Sequence, residues 1–248
     1  MKKSLIAIFI LMFPLRYIRS ILSLLGHEIE KDCIIGFSWL YVDKIVMRKG
    51  SRVGNFNFIE INNIELESKA WIGSNNIIRG DINVNINCNG SIGRKNRISR
   101  AQIKSRITYN LSYLSIGTWG QIVHNCMIDC TRSIYIGDYT TVGGSNTQMW
   151  THGYYHANTG IERIRIDGEI NIGNNVYVGS RCTFMPGVKV ADGIHIGANC
   201  CISKSLEKSG MYVSQPLRYI ENDIDSIREK LDKVEGYDLC EEVYEKKI

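Results

Sequence analysis

The sequence is poor in proline, with only Pro14, Pro186 and Pro216 in 248 residues. Its eight cysteines form no Cys-x-x-Cys pair and show no zinc-type spacing. In a chain of this length that argues against a disulfide framework and for a reducing, cytoplasmic setting. No apolar run reaches the roughly 20 residues that a membrane-spanning helix needs. The apolar run Leu5 to Phe13 stops at Pro14, and the first twenty residues hold Lys2, Lys3, Arg16 and Arg19 but no acid. Such a start is shaped like a signal peptide. However, no small-x-small cleavage site follows, and Arg16 and Arg19 stand where one would be. Residues 1–45 therefore read as a basic, apolar helical segment. It either lies on the inner face of the cytoplasmic membrane or packs on its own domain or a sister subunit. The sequence leaves both open.

Glycine is plentiful at 23 residues, and Asn and Ile are heavily used. That composition suits short strands joined by tight turns. The formal charge of +5 is unevenly spread: from Glu221 onward ten acids face five bases, so residues 1–220 carry +10. Across "INIGNNVYVGSRCTFMPGVKVADGIHIGANCCISKSL", steps of six from Ile172 land on Val178, Phe184, Val190, Ile196 and Ile202. Steps of six from Ile170 land on Val176, Cys182, Val188, Ile194 and Cys200. A helix would space apolar residues by three and four, and a simple strand would show no longer beat. A strict period of six is that of a parallel β-helix, in which stacked coils bury one continuous core. The beat recurs at Leu66, Ile72, Ile78 and Val84, and at Ile116, Ile122, Ile128 and Ile134. Ile136 and Val142 restart it one strand later. Between about 90 and 115 its phase slips, which predicts an irregular coil there. Cys182 and Cys200 fall on inward positions and read as packing residues.

The coil spans 46–215 on this reading. It breaks at "MWTHGYYH", which predicts a projecting loop over 149–168. Over 216–248, Ile220, Ile224, Ile227, Leu231 and Val234 step by four and three. That spacing predicts an amphipathic helix that caps the coil or meets sister chains.

These hexads, with pairs such as Ile172-Gly173 and Ile196-Gly197, resemble the hexapeptide-repeat acyltransferases, in particular the branch of sugar and surface-polysaccharide O-acetyltransferases. The resemblance implies a mainly β fold, a left-handed parallel β-helix built of hexapeptide repeats. It also implies a homotrimer with sites between subunits, acetyl-CoA as acyl donor and no metal in the chemistry. Family members follow an Ile-Gly-Asp repeat with a loop bearing Thr-His. Here Ile136-Gly137-Asp138 precedes Thr151-His152, which points to His152 as the catalytic base. Asn125, or His124 beside it, is the nearest counterpart of a helper Asn in the preceding coil. "VYVGSRCTFMPGVKV" resembles the run that faces the pantetheine arm and implies donor contacts at Gly179 and Ser180, with Tyr177 at a Trp position. "IGANCCISK" carries over Ala198, Ser203 and Lys204, and "VSQPLRYI" keeps Pro216 and puts Arg218 at the basic position.

A sugar hydroxyl must lose its proton as it attacks a thioester. An imidazole, with an ordinary pKa of about 6.5, suits that task. Trp150, Tyr154, Tyr155 and His156 could contact a sugar ring, or could pack the loop on the coil. The basic run 94–106, six bases and no acid, reads either as a phosphate contact or as a solvated face. It carries no nucleic-acid motif. The transfer implied is of an acetyl group to a sugar hydroxyl of a bacterial surface polysaccharide or its lipid-linked precursor. The alternative is N-acetylation of an amino sugar nucleotide. The gamma carbonic anhydrases share the coil, but His152 and His156 are one residue too close for their zinc loop, and only His124 stands on an earlier coil. A non-catalytic scaffold is the third class. Ser203, Lys204 and Pro216 argue against it.

Overall fold

The computed structural model describes residues 2–161, 163–214, 218–221, 229, 231–233 and 244–246. Two helices, α1 (Lys2–Met12) and α2 (Leu15–Leu24), precede the first strand, Glu28–Ile29. Pro14 separates them, with an extended ψ of 136° that cannot continue a helix. Ile6, Ala7 and Ile10 of α1, and Leu15, Ile18 and Leu22 of α2, are buried. The helices thus pack on their own domain, and α1 lies against the strand Trp39–Tyr41. The coil begins near residue 28 rather than 46. Its first turns carry the correct inward residues (Leu40, Ile45, Met47) but too irregular a spacing for the period to be read.

From there the chain winds through three parallel sheets that form the faces of a prism. The first sheet starts at Glu28–Ile29, the second at Ile34–Ile35 and the third at Trp39–Tyr41. This is the mainly β, left-handed parallel β-helix that the hexads imply. All twelve inward positions of the strongest repeat, from Ile170 to Ile202, are at most 4% exposed. Full burial of a Val, Ile or Phe side chain contributes about 1.5–3 kcal/mol, so this column dominates the stability of the coil.

Corners impose a separate demand. Among the described residues fourteen non-glycine residues have positive φ, and seven of them are Asn, the non-glycine residue that best tolerates that region. The heavy use of Asn follows from it. Where the second sheet turns into the third, Asn57, Asn76 and Asn96 also stack inside the coil. Asn76 donates from Nδ2 to Gly93 O (2.8 Å) and from its backbone N–H to Asn57 Oδ1 (2.9 Å). Its own Oδ1 accepts the Asn96 N–H at 2.9 Å.

The expected slip between 90 and 115 is narrower than the sequence suggested. Ile92 pairs with Ile72 and Ile98 with Ile78 in unbroken register. Only residues 100–111 leave the coil. The second excursion also starts later than expected. Gln148–Trp150 is a coil strand, with Met149 paired to Ile128 and Phe184, so Trp150 sits on the coil face. What projects is an antiparallel hairpin, His152–His156 against Arg163–Asp167.

The expected C-terminal helix is corrected at two of its five positions. Ile220 lies in the strand Arg218–Ile220, antiparallel to Gly210–Val213, and Leu231 lies in the strand Leu231–Lys233. The last parallel strand leaves open N–H and C=O groups, and strand pairing satisfies them where a helix cannot. Ile224, Ile227 and Val234 lie outside the described residues.

Candidate active site

Both excursions leave the coil at the same corner, where the third sheet turns into the first. One coil separates them, passing that corner at residues 130–133. The lower excursion is tied down by Arg100, whose guanidinium donates to the carbonyls of Asp81 (2.7 Å), Tyr109 (3.0 Å) and Asn110 (2.6 Å). The upper hairpin is held by Arg165, which pairs with Asp167 (2.8 Å) and donates to Ile107 O of the lower excursion. Between them, the Arg132 guanidinium lies 5.0 Å from the centre of the Tyr109 ring and 3.5 Å from Glu169. Arg106, Ile107, Tyr109, Tyr154, Arg165 and Asp167 line a cleft of about 510 Å³ between the two excursions.

At the root of the hairpin stands a carboxylate–imidazole pair. Asp129 Oδ2 lies 2.8 Å from His152 Nδ1. The same oxygen accepts the Thr151 hydroxyl (2.8 Å) and the Thr151 N–H (3.1 Å), while Oδ1 accepts the Thr131 hydroxyl (2.8 Å). Asp129 is 8% exposed, whereas His152 is half-buried and reaches solvent. A carboxylate can only accept, so its contact places the imidazole hydrogen on Nδ1 and leaves Nε2 as an acceptor.

The structure brings some of the expected residues together and separates others. On the hairpin His152, Tyr154 and His156 share one face. The His152 and Tyr154 rings meet edge-on at 5.8 Å, and those of Tyr154 and His156 at 6.4 Å. Tyr155 alternates to the other face and is exposed. Trp150 is half-buried, with its Nε1–H donating to Gln148 Oε1 at 3.0 Å. Ser203 and Lys204 follow the strand Cys201–Ile202 at the same corner as His152. They lie two coils further along, roughly 10 Å at one strand spacing per coil.

Gly179, Ser180 and Ala198 sit instead at the corner from the second to the third sheet, as do His124 and Asn125. Within one chain that corner is not the His152 corner. Asn125 donates from Nδ2 to Asn146 Oδ1 (2.7 Å) and His124 is exposed. The Tyr177 ring lies 6.4 Å from that of His195. A Cβ on Gly144 would fall 2.0 Å from Ser180 Cα, so glycine there is what allows the two coils to close at that corner. Arg218 lies in the closing antiparallel strand, and Pro216 lies outside the described residues. Among the described residues no three His, Cys, Asp or Glu side chains converge as a metal site would require.

Two residues that the structure adds to the candidate site, Asp129 and Tyr109, escape sequence reading. Asp129 precedes its imidazole partner by 23 residues, one coil below, and no local spacing announces it. The only signal is an acid standing directly after the inward Ile128. Tyr109 falls in the stretch where the beat is lost.

The pattern of the bacterial transferase hexapeptide (six repeats) matches residues 169–204, the stretch with the most regular coils. That match covers 36 of the 248 residues, so it is this stretch that is similar to the hexapeptide-repeat transferases. Over 61 residues, a quarter of this chain, it is 39% identical to a protein of Lysinibacillus sphaericus named as a probable macrolide acetyltransferase. It spans 34% of the length of that relative. It is 27% identical over 129 residues to YvoF of Bacillus subtilis, named as an acetyltransferase, covering 52% of this chain and 67% of YvoF. Among solved structures, the polySia-specific acetyltransferase NeuO superposes with a TM-score of 0.46 at 22% identity, over 80% of this chain and 88% of NeuO.

Proposed function

We propose that this chain transfers an acetyl group from acetyl-CoA to a hydroxyl of a sugar in a bacterial surface polysaccharide or its lipid-linked precursor. The observation that carries the reading is the Asp129–His152 pair at 2.8 Å, at the root of a hairpin that leaves an otherwise regular hexapeptide coil. The acetyltransferase names of the curated relatives support the donor.

In this reading His152 Nε2 takes the proton of the acceptor hydroxyl while its oxygen bonds to the thioester carbonyl carbon. The carbon–sulfur bond then breaks, and the proton passes from His152 to the departing CoA sulfur. Asp129 keeps the imidazole in the required tautomer and offsets its transient positive charge. Tyr109 and Tyr154, half-exposed across the cleft, offer faces on which a sugar ring stacks. His156 contacts the acceptor from the same hairpin face, and Trp150 and Tyr155 border the site. Gly179, Ser180, Ala198, Ser203, Lys204 and Arg218 bind the donor.

With Gly179 and Ser180 as donor contacts, a neighbouring subunit has to bring that corner to His152, and the homotrimer implied by the resemblance is an assembly that does so. A lipid-linked acceptor would place that unit at the inner face of the cytoplasmic membrane.

The test is release of CoA thiol from acetyl-CoA with a panel of hydroxyl-bearing and amino-bearing sugars, with His152→Ala alongside. Release that depends on a hydroxyl acceptor and is lost in the variant supports the reading. Release only with amino sugars transfers the assignment to N-acetylation. Release unaffected by His152→Ala removes the proposed base.

A further inference from the structure

The N-terminal helices bury one apolar stripe each and expose another. In α1 the buried stripe is Ile6, Ala7 and Ile10. Leu5, Ile8, Phe9 and Met12, spaced by three, one and three, form a second stripe on the opposite side, all exposed. Phe13 extends it. In α2, Leu15, Ile18 and Leu22 face the coil, while Tyr17, Ile21 and Leu24 are exposed, Leu24 at 87%. A helix that is apolar all round belongs in a protein core or in lipid. Here half of that surface has no protein over it. No described helix is long and apolar enough to cross a membrane.

The charge around this surface selects the occupant. From Lys2 to His27 the chain has four bases and no acid. Lys3 is spent on Asp43 at 2.7 Å. Arg16 is exposed, with its guanidinium 4.6 Å from the Tyr17 ring centre, beside the outer stripe. Arg19 borders a groove that Lys31 and Lys49 share with Glu30 and Asp32, where bases outnumber acids. A second copy of this face offers no opposite charge, since residues 2–27 carry four bases and no acid. An anionic leaflet offers the opposite sign and an apolar layer at the right depth.

We infer that the outer faces of α1 and α2 dock in the plane of a membrane surface rich in anionic lipid, with Leu5, Phe9, Met12 and Leu24 entering the acyl boundary. Docking uses none of the residues assigned to transfer, so each reading stands or falls by its own experiment.

The test is flotation of the purified full chain with vesicles of phosphatidylcholine alone and of phosphatidylcholine mixed with phosphatidylglycerol. Expected is flotation with the mixed vesicles only, weakened as salt rises. Phe9→Glu combined with Met12→Glu changes exposed positions. It should lower binding more than tenfold and leave the melting temperature and the CoA-release activity unchanged. Arg16→Gln should weaken binding about fivefold. A chain that floats with neither vesicle, or binding that survives the double variant, overturns the inference. So does a mass that doubles with concentration in the parent and not in the double variant, since a sister chain then covers the face.

Discussion

Asp129 Oδ2 and His152 Nδ1 lie 2.8 Å apart although 23 residues separate them, because one coil of the β-helix stacks the end of the strand Met127–Asp129 beneath the end of Gln148–Trp150. The contact holds the imidazole at the base of the hairpin. His152→Ala should lower acyl transfer by about 10²–10⁴-fold. Asp129→Asn should lower kcat by about 10²-fold or more, leaving the KM for acetyl-CoA unchanged. Because Asp129 also accepts from Thr151, Thr151→Val is the control. It should lower the melting temperature while keeping most of the activity. Steady-state kinetics and thermal melts of the three variants separate positioning from structure. An unchanged kcat in Asp129→Asn would remove Asp129 from the site.

Tyr109 and Tyr154 face one cleft from two excursions. Replacing either by Leu should raise the acceptor KM about two- to tenfold, the range of a lost ring contact. The KM for acetyl-CoA should stay constant. A change confined to the donor KM would place the acceptor elsewhere.

The buried Asn stack predicts a stability effect without a catalytic one. Asn76→Ala strands the Asn96 N–H and Gly93 O inside the coil, while the backbone N–H of residue 76 still serves Asn57 Oδ1. A loss of about 1–3 kcal/mol or more is expected in denaturant unfolding. A loss below that range would mean that water replaces the amide.

Burial pushes the Cys126 thiol up to about 12 and the Cys182 thiol up to about 11 from an ordinary 9.0. It pushes the Cys130 thiol up as well. The folded chain therefore holds these protons more tightly than the unfolded chain. Their contribution to stability is full below pH 9, where thiols of the unfolded chain are still protonated, and falls as pH rises through 11 to 12. Melting temperature should drop over that window, and Cys126→Val should flatten the drop. Alkylation of the native protein at neutral pH should modify exposed Cys201 and spare Cys126, Cys130 and Cys182. Fast labelling of Cys126 would show that the coil opens at that corner.

The period of six was legible because every inward position from Ile170 to Ile202 must be apolar to fill the same narrow core, whatever lies outside. The departure of the chain from the coil beside His152 was legible through the break in the beat. The first coils, at Leu40, Ile45 and Met47, were not, since uneven corners blur the spacing while leaving the same residues buried. The C-terminal periodicity misled at Ile220 and Leu231. Helical spacing is a local preference: at Ile220 the open edge of Gly210–Val213 offered backbone partners that a helix could not supply, and Leu231 pairs instead with Lys246 in a separate two-stranded sheet.

By itself, then, the sequence determined the repeat, its core and the corner at which the chain leaves the coil, because each depends on residues within one turn of one another. Only the tertiary structure decided that Asp129 partners His152, that residues 100–111 meet the hairpin, and that His124 and Asn125 stand on another corner. Those relationships join residues a coil or more apart, and stacking, rather than any local spacing, sets which of them touch.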